Sequence, residues 1–88
     1  MKVLYSSRFV KDLEAIRDRA LRTSVEEAIV ELKNAARISD LPNVKKMKGH
    51  TSAFRVRVGN YRIGLFRNGD SLTLHRFLDR KDIYKAFP

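Results

Sequence analysis

The 88-residue chain contains no cysteine, so neither a disulfide framework nor a cysteine-based metal site is open to it. Its two histidines, His50 and His75, could not hold a structural zinc without carboxylate help. No stretch approaches the roughly 18 apolar residues that a membrane span needs. The start, MKVLYSSRF, has neither a long apolar core nor a small-residue cleavage site. The expectation is therefore a cytoplasmic protein with no signal peptide and no membrane partner. Repeats, linkers and low-complexity stretches are also missing, and the length suits one compact domain spanning residues 1–88.

The most informative absence is that of acid from the middle of the chain. The formal net charge is +9. Residues 1–40 carry eight basic and seven acidic side chains, and residues 70–88 carry four and three. Residues 41–69 carry seven basic side chains (Lys45, Lys46, Lys48, Arg55, Arg57, Arg62 and Arg67) and no acidic one. So one-sided a block points to a polyanionic partner, because a clustered positive field attracts phosphate backbones.

What is present reads as helices followed by strands. Val3, Leu4 and Tyr5 form a short first strand. Ser6 or Ser7 then caps a helix that carries Phe9, Leu13 and Ile16 at helical spacing. After a break near Asp18, a second helix places Val25, Ile29, Leu32 and Ala36 on one face. Its start is signalled either by the capping-box spacing of Ser24 and Glu27 or earlier, near Arg19. Pro42 closes the helical half, and residues 39–53 read as a loop. The period then changes to two. Phe54, Val56 and Val58 alternate with Arg55 and Arg57; Ile63 and Leu65 follow Arg62; Leu72 and Leu74 alternate with Thr73 and His75. Gly59-Asn60 and Asn68-Gly69 are two-residue turn signals. Asp79 can cap a last helix carrying Ile83, Tyr84 and Phe87.

The resulting architecture is α+β, in the order β-α-α-β-β-β-α. A helical hairpin packs on one face of a small antiparallel sheet and leaves the other face open and basic. The two turns set a register with Val58 facing Tyr61, Arg57 facing Arg62, Arg67 facing Asp70, Leu65 facing Leu72 and Arg62 facing His75. It gathers the apolar residues on one face and lines up Arg57, Arg62 and His75 on the other, with Arg55 beside them. Like charges directly opposite one another destabilise a sheet, so the row calls for an anionic ligand. The planar guanidinium fork suits phosphate. Gly64, next to the row, would let a backbone approach closely.

The stretch VKKMKGHTSAFRVRVGNYRIGLF at residues 44–66 and the ending HRFLDRKDIYKAF at residues 75–87 resemble the RelE/ParE family of toxins from bacterial toxin–antitoxin pairs. The similarity in element order and length covers essentially the whole chain, and it is to the RelE-like branch. The resemblance implies a ribosome-dependent endoribonuclease that cuts messenger RNA without a metal or other cofactor. It also implies a cognate antitoxin that holds the toxin inactive, with an acidic segment expected to cover the basic face. The site residues it implies lie at Arg55 and Arg57, at Arg62, and around Arg80 or Lys81 and Tyr84. Lys45, Lys46, Lys48 and Arg67 add to the RNA-binding surface. Metal-free RNA cleavage uses the 2′-hydroxyl as nucleophile and needs a base, cations for the crowded phosphate and an acid for the leaving oxygen. Arg62 is the candidate for phosphate stabilisation, and Arg80 for charge stabilisation or leaving-group assistance. Tyr84 either stacks on a base or packs its helix. His75 either takes the hydroxyl proton or serves the structure, with His50 and Lys48 as secondary candidates. Two alternatives share the fold: a ParE-like gyrase inhibitor and a non-catalytic RNA-binding module.

Overall fold

A computed structural model describes residues 1–88. The elements are β1 (Lys2–Tyr5), α1 (Ser7–Glu14), α2 (Arg19–Asn34), a 3-10 turn (Ile38–Asp40), β2 (Val44–Lys46), β3 (Ala53–Val58), β4 (Tyr61–Asn68), β5 (Ser71–Asp79) and α3 (Arg80–Ala86). Ser6 caps α1, its hydroxyl accepting from the Phe9 amide at 3.0 Å. Asp18 caps α2, its carboxylate accepting from the Leu21 amide at 3.2 Å. The second helix therefore starts at Arg19. The Ser24 hydroxyl lies inside it and donates to the Ala20 carbonyl at 3.1 Å. It also ends earlier than its apolar spacing implied: Ala35 is extended, and Ala36 is exposed rather than on the buried stripe.

The sheet has five strands in the order β1-β5-β4-β3-β2. It is mixed rather than antiparallel, because β1 runs parallel to β5 while the other pairs are antiparallel. The 39–53 segment is not all loop, since it contributes the 3-10 turn and β2. A three-residue strand reading Val-Lys-Lys shows too little alternation to be seen in a sequence.

The first hairpin has the expected register, with Val58 facing Tyr61 and Arg57 facing Arg62. The second does not. Its two-residue loop is Gly69-Asp70, with Asn68 facing Ser71, Arg67 facing Leu72 and Leu65 facing Leu74. In both loops glycine takes the first central position, at φ 58° in Gly59 and 60° in Gly69, while no non-glycine residue has positive φ. That is the type II′ requirement, and it moves the second turn one residue along. The register shifts by two, so the same apolar residues still share a face.

A bulge then intervenes. Leu65 faces Leu74 but Gly64 faces Arg76, which leaves His75 as the extra residue. The bulge inverts the alternation of everything after it. Phe77 turns into the core opposite Ile63, Leu78 lies opposite Arg62, and Asp79 lies opposite Tyr61. His75 is therefore not the neighbour of Arg62.

Two apolar clusters result. On one face, Phe9 of α1 and Val25 and Leu32 of α2 pack with Val56, Val58, Ile63, Leu65, Leu72, Leu74 and Phe77. On the other, Ile83 and Phe87 pack with Met47 and Ala53, flanked by Phe66 and Leu78. The second face is thus only partly open, because α3 lies across one end of it. Gly64 serves this packing: a Cβ there would stand 2.6 Å from ring carbons of Phe87. The close approach that this glycine permits is to the chain's own aromatic ring, not to a ligand.

Candidate nucleic-acid interface

Strand alternation places Arg55 and Arg57 on the α3 side of β3, and the first hairpin sets Arg62 directly opposite Arg57. Arg55 faces Gly64 on one side and Lys45 of β2 on the other. The bulge in β5 delivers α3 to the same face. The Arg80 amide donates to the Asn60 carbonyl at 2.9 Å, which ties the start of the helix to the β3–β4 turn. Tyr84 follows one turn later, more than half exposed, with the Arg55 guanidinium 5.5 Å from its ring centroid.

Arg62 is the centre of the group. Its Nη1 donates to the Gly59 carbonyl at 3.0 Å and to the Tyr61 carbonyl at 2.9 Å. Its Nε is buried and has no partner. Burial holds the guanidinium below the ordinary arginine range, and the charges of Arg55 and Arg57 push it further in that direction. Tyr84 acts in the opposite sense, while Arg80 adds to the lowering. The chain's ion pairs lie elsewhere, between Arg37 and Asp40 and between Arg76 and Asp12. A concavity lined by Pro42, Asn43, Lys45, Arg55, Arg57 and Arg62 opens beside the cluster, and no acid lines it. Guanidiniums with no carboxylate among them, set around a buried donor, suit the oxygens of a phosphate.

No family model matches the sequence. Toxin RelE3 of the archaeon Methanocaldococcus jannaschii is 44% identical over 89 residues, which span the whole of both chains. The chain belongs to the RelE toxin family. Among solved structures, the RelB-RelE antitoxin-toxin complex from Methanococcus jannaschii superposes with a TM-score of 0.78 at 41% identity, covering 97% of this chain and 99% of that one. The archaeal RelE-RelB complex from Pyrococcus horikoshii OT3 gives 0.73 at 20% identity over 90% and 93%, a likeness of fold alone. The RelE branch is thus favoured over the ParE alternative.

Within this RelE fold the other sequence candidates separate. Lys45 joins the arginine face through its pairing with Arg55. Lys46 is exposed and borders a shallow depression with Lys48 and His50 in the β2–β3 loop, which forms a second basic patch. Arg67 lies an even number of steps beyond Ile63 and Leu65, hence on the α1–α2 side, and its Nε donates to the Gly69 carbonyl at 3.1 Å. Lys81 is exposed in the first turn of α3, where its amide donates to Asp79 at 2.9 Å. His75 packs among aromatics, edge-on to Phe66 with centroids 5.0 Å apart and 6.3 Å from Phe87. The sequence reading missed Asn43, whose carbonyl accepts from the Arg57 amide at 2.9 Å and which lines the concavity. Nothing in a Pro-Asn loop signals that placement.

Proposed function

We propose that this chain is the toxin of a RelBE-type pair and acts as a ribosome-dependent endoribonuclease on messenger RNA. The observation that carries the reading is the buried, partnerless Arg62 Nε inside a cluster of four guanidiniums, with Tyr84 exposed at its edge. In the proposed reaction the 2′-oxygen of one nucleotide bonds to the adjacent phosphorus and the P–O5′ bond breaks. The hydroxyl proton passes to a base, and the leaving 5′-oxygen receives one from an acid. The products are a 2′,3′-cyclic phosphate and a 5′-hydroxyl. Arg62 grips the phosphate as charge builds on its oxygens, with Arg55 and Arg57 flanking it. Arg80 stabilises the leaving side, and Tyr84 offers a stacking surface for a base. Lys45, Lys46, Lys48 and Lys81 hold the surrounding RNA by charge.

The partner that holds the toxin off is a cognate antitoxin, as in the relatives' complexes with RelB. An acidic segment complements the basic face best. One observation favours a second reading, a non-catalytic RNA-binding module. Guanidiniums stay protonated and cannot accept the hydroxyl proton, and His75 is placed among Phe66 and Phe87 instead of among them. Cleavage mapping on purified components separates the readings. The nuclease cuts messenger RNA within translating ribosomes and leaves the same RNA intact when it is untranslated. Uncut RNA in both reactions, with binding retained, supports the module. Loss of gyrase supercoiling without RNA cleavage would return the ParE alternative.

A further inference from the structure

Asp12 of α1 is a partly buried carboxylate to which the nuclease reaction gives no task. It accepts from Arg76 Nε at 2.7 Å, from Arg76 Nη2 at 3.2 Å and from the Phe77 backbone amide at 3.0 Å. Both side chains of the pair are largely shielded, with 16% and 14% of their surface exposed. The position along β5 gives the contact its significance. β1 accompanies β5 only as far as Tyr5 opposite Leu74, and Ser6 makes the last bonds between the two segments, from its amide to the Leu74 carbonyl and from its hydroxyl to the His75 carbonyl at 2.9 Å. Beyond His75, the bulged residue, β5 has lost its outer neighbour. Asp12 stands where a strand would have continued. It satisfies the Phe77 amide and grips the side chain of the residue before it.

The bulge determines which way the chain leaves the sheet. Without the extra residue, strict alternation from Leu74 would put Arg76 and Leu78 on the α1–α2 face and Phe77 on the other. With it, Phe77 enters the core, Leu78 lies beneath α3, and Asp79 arrives opposite Tyr61 as the cap of α3. Arg80 and Tyr84 owe their place beside Arg62 and Arg55 to that inversion. We infer that Asp12 is a positioning residue for the arginine–tyrosine site. It clamps the β5 bulge through Arg76 and Phe77, from the opposite side of the sheet, and so fixes where α3 presents Arg80 and Tyr84. This inference rests on the nuclease reading for its kinetic test but not for its structural one.

The experiment combines Asp12→Asn with Tyr84→Ala in a double-mutant cycle, read as single-turnover cleavage of messenger RNA on ribosomes. Asparagine keeps an acceptor for the Phe77 amide and removes the charge that grips Arg76. The expected result for Asp12→Asn is cleavage slowed about 10-fold with ribosome affinity within about 2-fold, and less than about 2-fold further loss in the Tyr84→Ala background. A folded Asp12→Asn protein that cleaves at the full rate, or losses that simply multiply, overturns the inference. Should Asp12→Asn fail to fold, Arg76→Lys is read in the same way, since it keeps the carboxylate and its backbone bond. Should the wild-type chain cleave nothing, the nuclease reading fails alone, and amide and Arg62 Nε–H resonances decide the matter. Shifts across residues 75–87 and at Arg62 support the clamp, whereas shifts confined to residues 2–14 overturn it.

Discussion

Arg62 and Arg76 show how the same residue type is put to opposite uses within one sheet. Arg76 meets a carboxylate, and its hydrogen bonds to Asp12 hold its guanidinium above the ordinary arginine range. A raised basic group contributes stability that is lost only as pH rises through its folded value, so this pair resists alkali throughout the range in which lysines titrate. Arg62 is lowered instead, first by burial and then by neighbouring cations, so an anion relieves a strain already present. Phosphate should therefore raise the melting temperature by several degrees at about 10-fold excess over its dissociation constant. Chloride at matched ionic strength should not, and neither should phosphate with Arg62→Gln, as differential scanning calorimetry would show. The arginine row was legible in the sequence because Arg55, Arg57 and Arg62 obey plain alternation around one glycine-first turn. His75 was not, because one extra residue at a bulge moves it from the arginines to Phe66 and Phe87. Replacing His75 with Gln should accordingly lower the melting temperature while cleavage stays within about 3-fold of wild type, far short of the roughly 100-fold or more expected on removing a general base.

At the scale of elements, the fold depends on where two helices begin and where one of them lands. The cap of α1 was readable because Ser6 precedes an apolar stripe, whereas Asp18 read only as a break and the Ser24–Glu27 spacing competed with it; Asp18→Ala should cost about 1 kcal/mol in urea unfolding. β2 was not readable, since three residues give no period, yet it brings Lys45 to the arginine face. The landing of α3 was equally hidden. Its apolar residues announce a buried side, but only the bulge in β5 shows which face of the sheet receives it. Gly64→Ala tests this landing directly. The added methyl meets a rigid ring instead of a flexible chain end, so Phe87 must leave its seat. The expected cost is about 1–3 kcal/mol, the usual range for overpacking, together with faster hydrogen exchange at residues 83–87 and slower cleavage. Unchanged stability in the Gly64→Ala variant would mean that α3 is not seated as described.

Across the whole molecule, charge is segregated: the acid-free third of the sequence folds into the β2–β4 end of the sheet, while the acids of α2 lie behind it. Binding to ribosome-held RNA should weaken steeply with salt, and its slope should fall when Lys45 or Lys48 is neutralised. Charge alone, however, would make a binding surface and not a site. What distinguishes a site is the geometry at Arg62, whose planar fork is anchored at one end on Gly59 and Tyr61 and left unpaired at Nε. Arg62→Lys preserves the charge and removes the fork. The decisive measurement is single-turnover cleavage of ribosome-bound messenger RNA by this variant, alongside its ribosome affinity. The expected result is cleavage slowed about 10–100-fold, on the scale of a charge-assisted contact worth about 1.5–3 kcal/mol, with affinity nearly unchanged. Cleavage at the wild-type rate, or equal losses in cleavage and affinity, would contradict it and leave the arginine face as a surface that binds RNA without acting on it.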